Sequence, residues 1–160
     1  ITDGAAWLVL ASEEAVERHG LKPLGRIVDS QWAGLAPDQM GLGPVHATMP
    51  ILQRHNLAPN DLDAWELNEA FAAQVIACLR AFEDHDYCRT HFGVDAPGAP
   101  EASRLNVDGG AVALGHPVGA SGARIVLHLL EVLRRKGGGR GLASICIGGG
   151  QGGAMLVETV

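Results

Sequence analysis

The stretch Asn106 to Arg124 (NVDGGAVALGHPVGASGAR) limits what this chain can fold into more than any other. Gly109-Gly110 and Gly115-His116-Pro117 are breakers that regular structure does not run through. The small residues after Pro117 open an apolar helix of about Gly119 to Arg135. A lone histidine between a glycine and a proline at a helix start fills a core poorly. It is well placed to aim an imidazole into a cavity.

The rest of the chain alternates between short apolar runs and helical patterns. Ala5 to Ala11 (AAWLVLA) reads as a buried strand. Ser12 suits an N-cap, Glu13 and Glu14 the positive end of a helix, and Gly20 its C′ position, giving a helix over Glu13–His19. Leu24 to Ala33 is a second strand. After a loop over 34–43, Pro44 begins a helix to about His55, with Val45, Met49 and Leu52 at helical spacing. Leu62 to Leu67 is a short strand, and a helix follows from about Glu69 to Phe82. The polar segment 84–104, with Pro97 and Pro100, has no periodicity and reads as a surface excursion. The Gly119–Arg135 helix is apolar on most faces, which predicts burial on more than one side. Leu142–Ile147 and Ala154–Val160, split by Gly148–Gly153, form an antiparallel hairpin. The expected class is α/β, a layered domain with a mixed five-stranded sheet covered by helices.

With 160 residues the chain suits one domain, 1–160, with 84–104 as an excursion within it. A net charge of -6 with no basic stripe argues against nucleic acid and anionic membrane surfaces as partners. No apolar run reaches the ~20 residues that span a bilayer. Cys78, Cys88 and Cys146 are an odd count without a disulfide spacing, which fits a reducing cytoplasm. The start at Ile1, without Met, suggests a piece of a longer protein.

Several residues carry chemistry. His116 suits a general base, and equally a structural hydrogen bond at a helix start. Cys146 ends an apolar strand just before a glycine run whose N–H groups suit an oxyanion; it reads as a nucleophile or acid/base, or as a small buried thiol. Gly148–Gly153 fits neither nucleotide glycine pattern. Asn68 stands where an N-cap would stand, or points an amide into a site. His85, Cys88 and His91 have metal-ligand types but no second cluster, so no metal is assigned.

Together these stretches resemble the thiolase family, specifically the C-terminal half of acetyl-CoA acetyltransferases and 3-ketoacyl-CoA thiolases. The resemblance rests on Asn68-Glu69-Ala70-Phe71-Ala72, on Asn106 to Ala123 around Gly115-His116-Pro117, and on Cys146 to Gly152 (CIGGGQG). Ile1 to Ala5 and Met40 to Pro44 add to it, and all run in family order. It implies acyl transfer between coenzyme A thioesters, by Claisen condensation or thiolysis, with no cofactor beyond these substrates. It implies that His116 activates a nucleophilic cysteine and that Cys146 is the second acid/base. Asn68 would hold a water beside His116, and the Gly148 N–H would serve an oxyanion. Met40, Ala70 and Phe71 would line the pantetheine or acyl pocket. The family's nucleophilic cysteine lies in an N-terminal half that these residues do not include. The expected partners are therefore acyl-CoA, an N-terminal thiolase half, and further copies in a homodimer or homotetramer. The alternatives are a non-catalytic thiolase-like domain that binds lipid or CoA, and a condensing enzyme on carrier-protein substrates.

Overall fold

The structure, a computed structural model, describes residues 2–160. In chain order its elements are α1 (Glu13–His19), β1 (Arg26–Gly34), a 3-10 turn (Pro37–Leu42), α2 (Gly43–His55), a second 3-10 turn (Pro59–Asp61) and β2 (Ala64–Leu67). Then come α3 (Ala72–Glu83), α4 (His85–Phe92), α5 (Ala111–Leu114), α6 (Val118–Arg135), β3 (Arg140–Ile147) and β4 (Gln151–Glu158).

Four strands form one mixed sheet in the order β1-β4-β3-β2. β3 and β4 are the expected hairpin, and β1 adds antiparallel to β4. β2 pairs parallel with β3, Leu67 opposite Ser144. Strand alternation sends Trp65, Leu67, Leu142 and Leu156 to one face, where they meet Val45, Met49 and Leu52 of α2 and Cys78 and Phe82 of α3. Ala64, Ala143 and Val157 go to the other face, against Ile125, Leu129 and Leu133 of α6. The result is helix, sheet and helix in three layers, each core sealed by one side of the sheet.

Three expectations change. Ala5–Ala11 is not a fifth strand: it has no ladder partner, and Trp7 and Val9 are 87% and 91% exposed. A continuous apolar run becomes a strand only where another strand takes up its N–H and C=O groups. The segment 84–104 is not a mere excursion. Asp84 caps α4 by accepting from the Tyr87 N–H, and Cys88, Phe92, Val94 and Ala99 pack on the α2 side of the core. A two-turn helix is too short to display a period among so many polar residues. Finally, α6 buries one face on the sheet while Val118 stands 78% exposed, so it is not enclosed on several sides.

Gly152 and Gly153 belong to β4 and not to the turn, which is confined to Gly148–Gly150. A Cβ on Gly152 would lie 2.0 Å from the Gly43 carbonyl oxygen. The bare strand therefore lets the start of α2 rest directly on the sheet.

No helix among the described residues is long and apolar enough to cross a membrane.

Candidate active site

The carboxyl ends of β2 and β3 lie side by side, and two of the expected site residues sit there. Asn68 follows β2 and donates its backbone N–H to Ser144 O at 2.9 Å. Cys146 lies two residues further along β3, in the row of Leu142 and Ser144 that faces α2 and α3. The crevice outside the carboxyl ends of parallel strands is where open α/β sheets place ligands.

Asn68 is not an N-cap. It is 1% exposed, and α3 starts four residues later with Phe71 as its cap residue. Its Nδ2 faces His116 Nε2 at 3.4 Å. Its Oδ1 is buried without a hydrogen-bond partner, a costly state for an amide oxygen away from water.

His116 Nδ1 lies 2.6 Å from Ser121 Oγ. Ser121, fully buried in the first turn of α6, gives its own hydroxyl hydrogen to Pro117 O at 3.2 Å. Its oxygen is then an acceptor for the ring, so Nδ1 carries the proton. That leaves the lone pair on Nε2, pointing at the Asn68 amide. A 3.4 Å contact is longer than an ordinary N–H hydrogen bond and yields readily to a competing group.

Cys146 is buried, and burial pushes its thiol up, against a weaker opposing hydrogen bond from its own backbone. The group is held as a thiol. Gly148 is exposed in the hairpin turn, with open space where a Cβ would be. Ala70 and Phe71 lie in the bend between β2 and α3, with Phe71 61% exposed. Met40 is half-buried in the first 3-10 turn, which sits on α3: Cys78 Sγ donates to Gly41 O at 3.2 Å. Among the described residues, no hydrogen bond ties Cys146, Met40 or Phe71 to the His116–Asn68 pair. His85, Cys88 and His91 do not converge. Cys88 Sγ donates to Ala81 O at 3.3 Å, and His91 lies against the Tyr87 ring at 4.3 Å. Among the described residues, no three His, Cys, Asp or Glu side chains are grouped to hold a metal ion.

Sequence reasoning missed the residues that hold this arrangement. Asn106 finishes the free edge of β2. Its side chain accepts from Leu67 N at 2.9 Å and donates to Leu67 O at 2.9 Å, as a neighbouring strand would. It also donates to Glu69 Oε1 at 3.0 Å, while Glu69 Oε2 accepts from Val112 N at 3.0 Å. Glu69 therefore grips the start of α5, and a side chain on Gly110 would collide with its carboxylate at 2.7 Å. Gly115, at φ +91°, then turns the chain out of α5 into His116. The one available signal was the spacing of Ser121, four residues after Pro117 on a helix, which brings its hydroxyl back to that carbonyl.

The comparisons with known proteins agree with one another. The family model described as thiolase, C-terminal domain, matches residues 21–159. The chain is 50% identical over 160 residues to the β-ketoadipyl-CoA thiolase of Pseudomonas aeruginosa, covering 100% of this chain and 36% of that protein. It is 42% identical over 159 residues to human mitochondrial 3-ketoacyl-CoA thiolase, covering 99% of this chain and 36% of that one. A crystal structure of the human mitochondrial enzyme matches with a TM-score of 0.79 at 43% identity, over 94% of this chain and 34% of the other. A second, of the same enzyme in complex with CoA, matches equally well. The chain thus spans only 36% of the length of these curated relatives. On this agreement of family model, relatives and fold, the chain belongs to the thiolase family and corresponds to its C-terminal domain.

Proposed function

We propose that this chain supplies half of a thiolase active site and transfers acyl groups between coenzyme A thioesters. The observation that carries the reading is the row Ser121–His116–Asn68, which leaves the His116 Nε2 lone pair held only by a long contact to Asn68, whose backbone N–H bonds to Ser144 of β3, the strand that carries Cys146.

In this reading the nucleophilic cysteine comes from an N-terminal half outside these residues. Nε2 of His116 takes that cysteine's proton as its sulfur attacks the thioester carbonyl. The carbon–sulfur bond to CoA breaks, the departing CoA sulfur takes the proton of the Cys146 thiol, and an acyl-cysteine forms. The Gly148 N–H donates to the oxyanion of that step. In the condensing direction Cys146, once deprotonated, removes a proton from the α-carbon of a second acyl-CoA. The resulting enolate oxygen is held by His116 and by a water on Asn68. The carbanion attacks the acyl-cysteine, the carbon–sulfur bond to the enzyme breaks, the freed cysteine sulfur takes back the proton held on His116 Nε2, and a 3-ketoacyl-CoA leaves. Thiolysis is the reverse. Because Cys146 is held as a thiol, it is ready first as a proton donor, to an α-carbanion or to a departing CoA sulfur. The orphaned Asn68 Oδ1 suits a water-holding role, since a buried amide oxygen gains most from such a partner. Met40, Ala70 and Phe71 contribute to the pantetheine or acyl pocket. CoA thioesters are substrates and no cofactor takes part. The protein works in the cytoplasm as a homodimer or homotetramer, and its free thiols suit a reducing compartment.

The test is Cys146→Ala in the chain completed by an N-terminal thiolase half. Turnover of acetoacetyl-CoA should fall by roughly a hundredfold or more, the scale of a lost general acid/base, with folding spared. An unchanged rate would support the non-catalytic lipid- or CoA-binding reading instead.

A further inference from the structure

β2 carries a carboxylate in an unusual place. All four of its residues are buried, and the Glu66 side chain is 3% exposed, facing α6. An unpaired charge there would not survive. Glu66 Oε1 lies 2.7 Å from Nδ1 of His128 in α6. The other ring nitrogen, Nε2, lies 2.9 Å from Asp108 Oδ2. Asp108 also accepts from Arg135, the last residue of α6. The His128 ring therefore bridges the two carboxyl groups, one through each nitrogen. Glu66, His128, Asp108 and Arg135 thus form one continuous hydrogen-bonded row. Arg124 adds its field at Glu66 from the same helix. Burial holds the Glu66 carboxyl above the usual glutamate range, and the His128 hydrogen bond offsets only part of that.

No member of this row touches the proposed reacting atoms, yet Glu66, Asp108 and His128 each stand near, in sequence, a residue of the site or one that supports it. Glu66 lies two residues before Asn68. Asp108 lies two residues after Asn106, on the loop that leads through α5 to His116. His128 lies two helical turns after Ser121, which holds the His116 ring. Among the described residues, Glu66–His128 is the one side-chain hydrogen bond between β2 and α6, and Asp108 makes the side-chain ties from its loop to α6. The Asn68–His116 contact, at 3.4 Å, is too long to set its own geometry. We propose that Glu66, His128 and Asp108 are positioning residues: by locking β2, the 106–110 loop and α6 to one another, they fix where the His116 Nε2 lone pair sits relative to Asn68.

The inference rests on the thiolase reading, and its test separates the two. The chain is completed by an N-terminal thiolase half and assayed for thiolysis of acetoacetyl-CoA as wild type, His128→Ala, Asp108→Ala and the double variant. Each single variant should lose roughly tenfold in kcat with KM within about twofold, and the double variant should lose no more than the worse single one, as members of one unit do. Asp108→Asn, which keeps an acceptor for His128, should retain most of the rate. Asp108 lies on an exposed loop, with its side chain 41% exposed, so its variants remain informative if His128→Ala does not fold. A second readout needs no turnover: 15N shifts of the His116 ring in the same assembly. Wild type should show protonated Nδ1 and bare Nε2, and the alanine variants a mixture of tautomers. If wild type turns over and the folded alanine variants keep kcat within twofold, the positioning role is overturned and the thiolase reading stands. If wild type does not turn over, the thiolase reading fails, and an unchanged His116 tautomer in the variants overturns the positioning role as well.

Discussion

Replacing Asn106 with alanine should destabilise the chain far more than an ordinary surface change. Asn106 is half-buried, and its side chain occupies the place of a missing strand beside β2. Alanine orphans both the N–H and the C=O of Leu67, a residue 3% exposed. Each unsatisfied buried backbone group costs about 1–3 kcal/mol. Asn106 also sits at φ +45°, where alanine pays roughly 1–2 kcal/mol that asparagine largely escapes. The sum is about 3–8 kcal/mol, and partial access of water to the edge favours the lower end. A domain of this kind is stable by only about 5–15 kcal/mol, so the loss is a large fraction. Equilibrium urea unfolding followed by far-UV circular dichroism measures it. Asn106→Gly separates the two contributions, because glycine accepts the backbone angle and still orphans Leu67. It should recover about 1 kcal/mol relative to alanine. A total loss for Asn106→Ala under about 1 kcal/mol would refute the idea that this side chain completes the sheet.

Gly152→Ala should cost about 3 kcal/mol, the upper end of overpacking, because its Cβ would press on the backbone of Gly43 and push α2 off the sheet; thermal unfolding reads this directly. Ser121→Ala in the completed enzyme should reduce kcat roughly tenfold, since His116 Nδ1 loses the acceptor that fixes its tautomer, while the urea midpoint moves little. Glu158 accepts from Arg140 at 2.9 Å, and that bond, with the Arg26 pair, holds its carboxyl below the usual glutamate range. Its contribution is therefore complete above the ordinary glutamate pKa of about 4.3 and fades as pH falls through the lower folded value. Glu158→Gln should flatten the dependence of stability on pH in that acid window, and an unchanged slope in urea melts between those limits would contradict it.

The parts of the fold that were legible in the sequence are those whose cause is local. The cap Ser12, the acidic pair Glu13 and Glu14, and Gly20 at φ +59° gave α1 its observed ends. The proline at the start of α2 and the apolar hairpin strands did the same for their elements. What escaped depends on partners distant in sequence. Trp7 to Leu10 are apolar without a break, as a buried strand should be, but a ladder needs a neighbour, and local pattern carries no sign of one. Tyr87 and Cys88 join the core only because α4 folds back over α3, so their burial is tertiary. In the candidate site, His116 and Asn68 were legible as residues, and the structure brings them to within 3.4 Å across 48 positions of sequence. The supports Ser121, Glu69 and Asn106 were not, because their chemistry is spent on backbone groups and on other side chains that only the folded chain brings near.

The most direct test of the account is the thiolysis rate of acetoacetyl-CoA with the 160 residues alone and with an N-terminal thiolase half added. The chain alone should show no turnover, and the added half should restore it, with His116→Ala abolishing it again. Robust turnover by the chain alone, or restored turnover that survives His116→Ala, would contradict it.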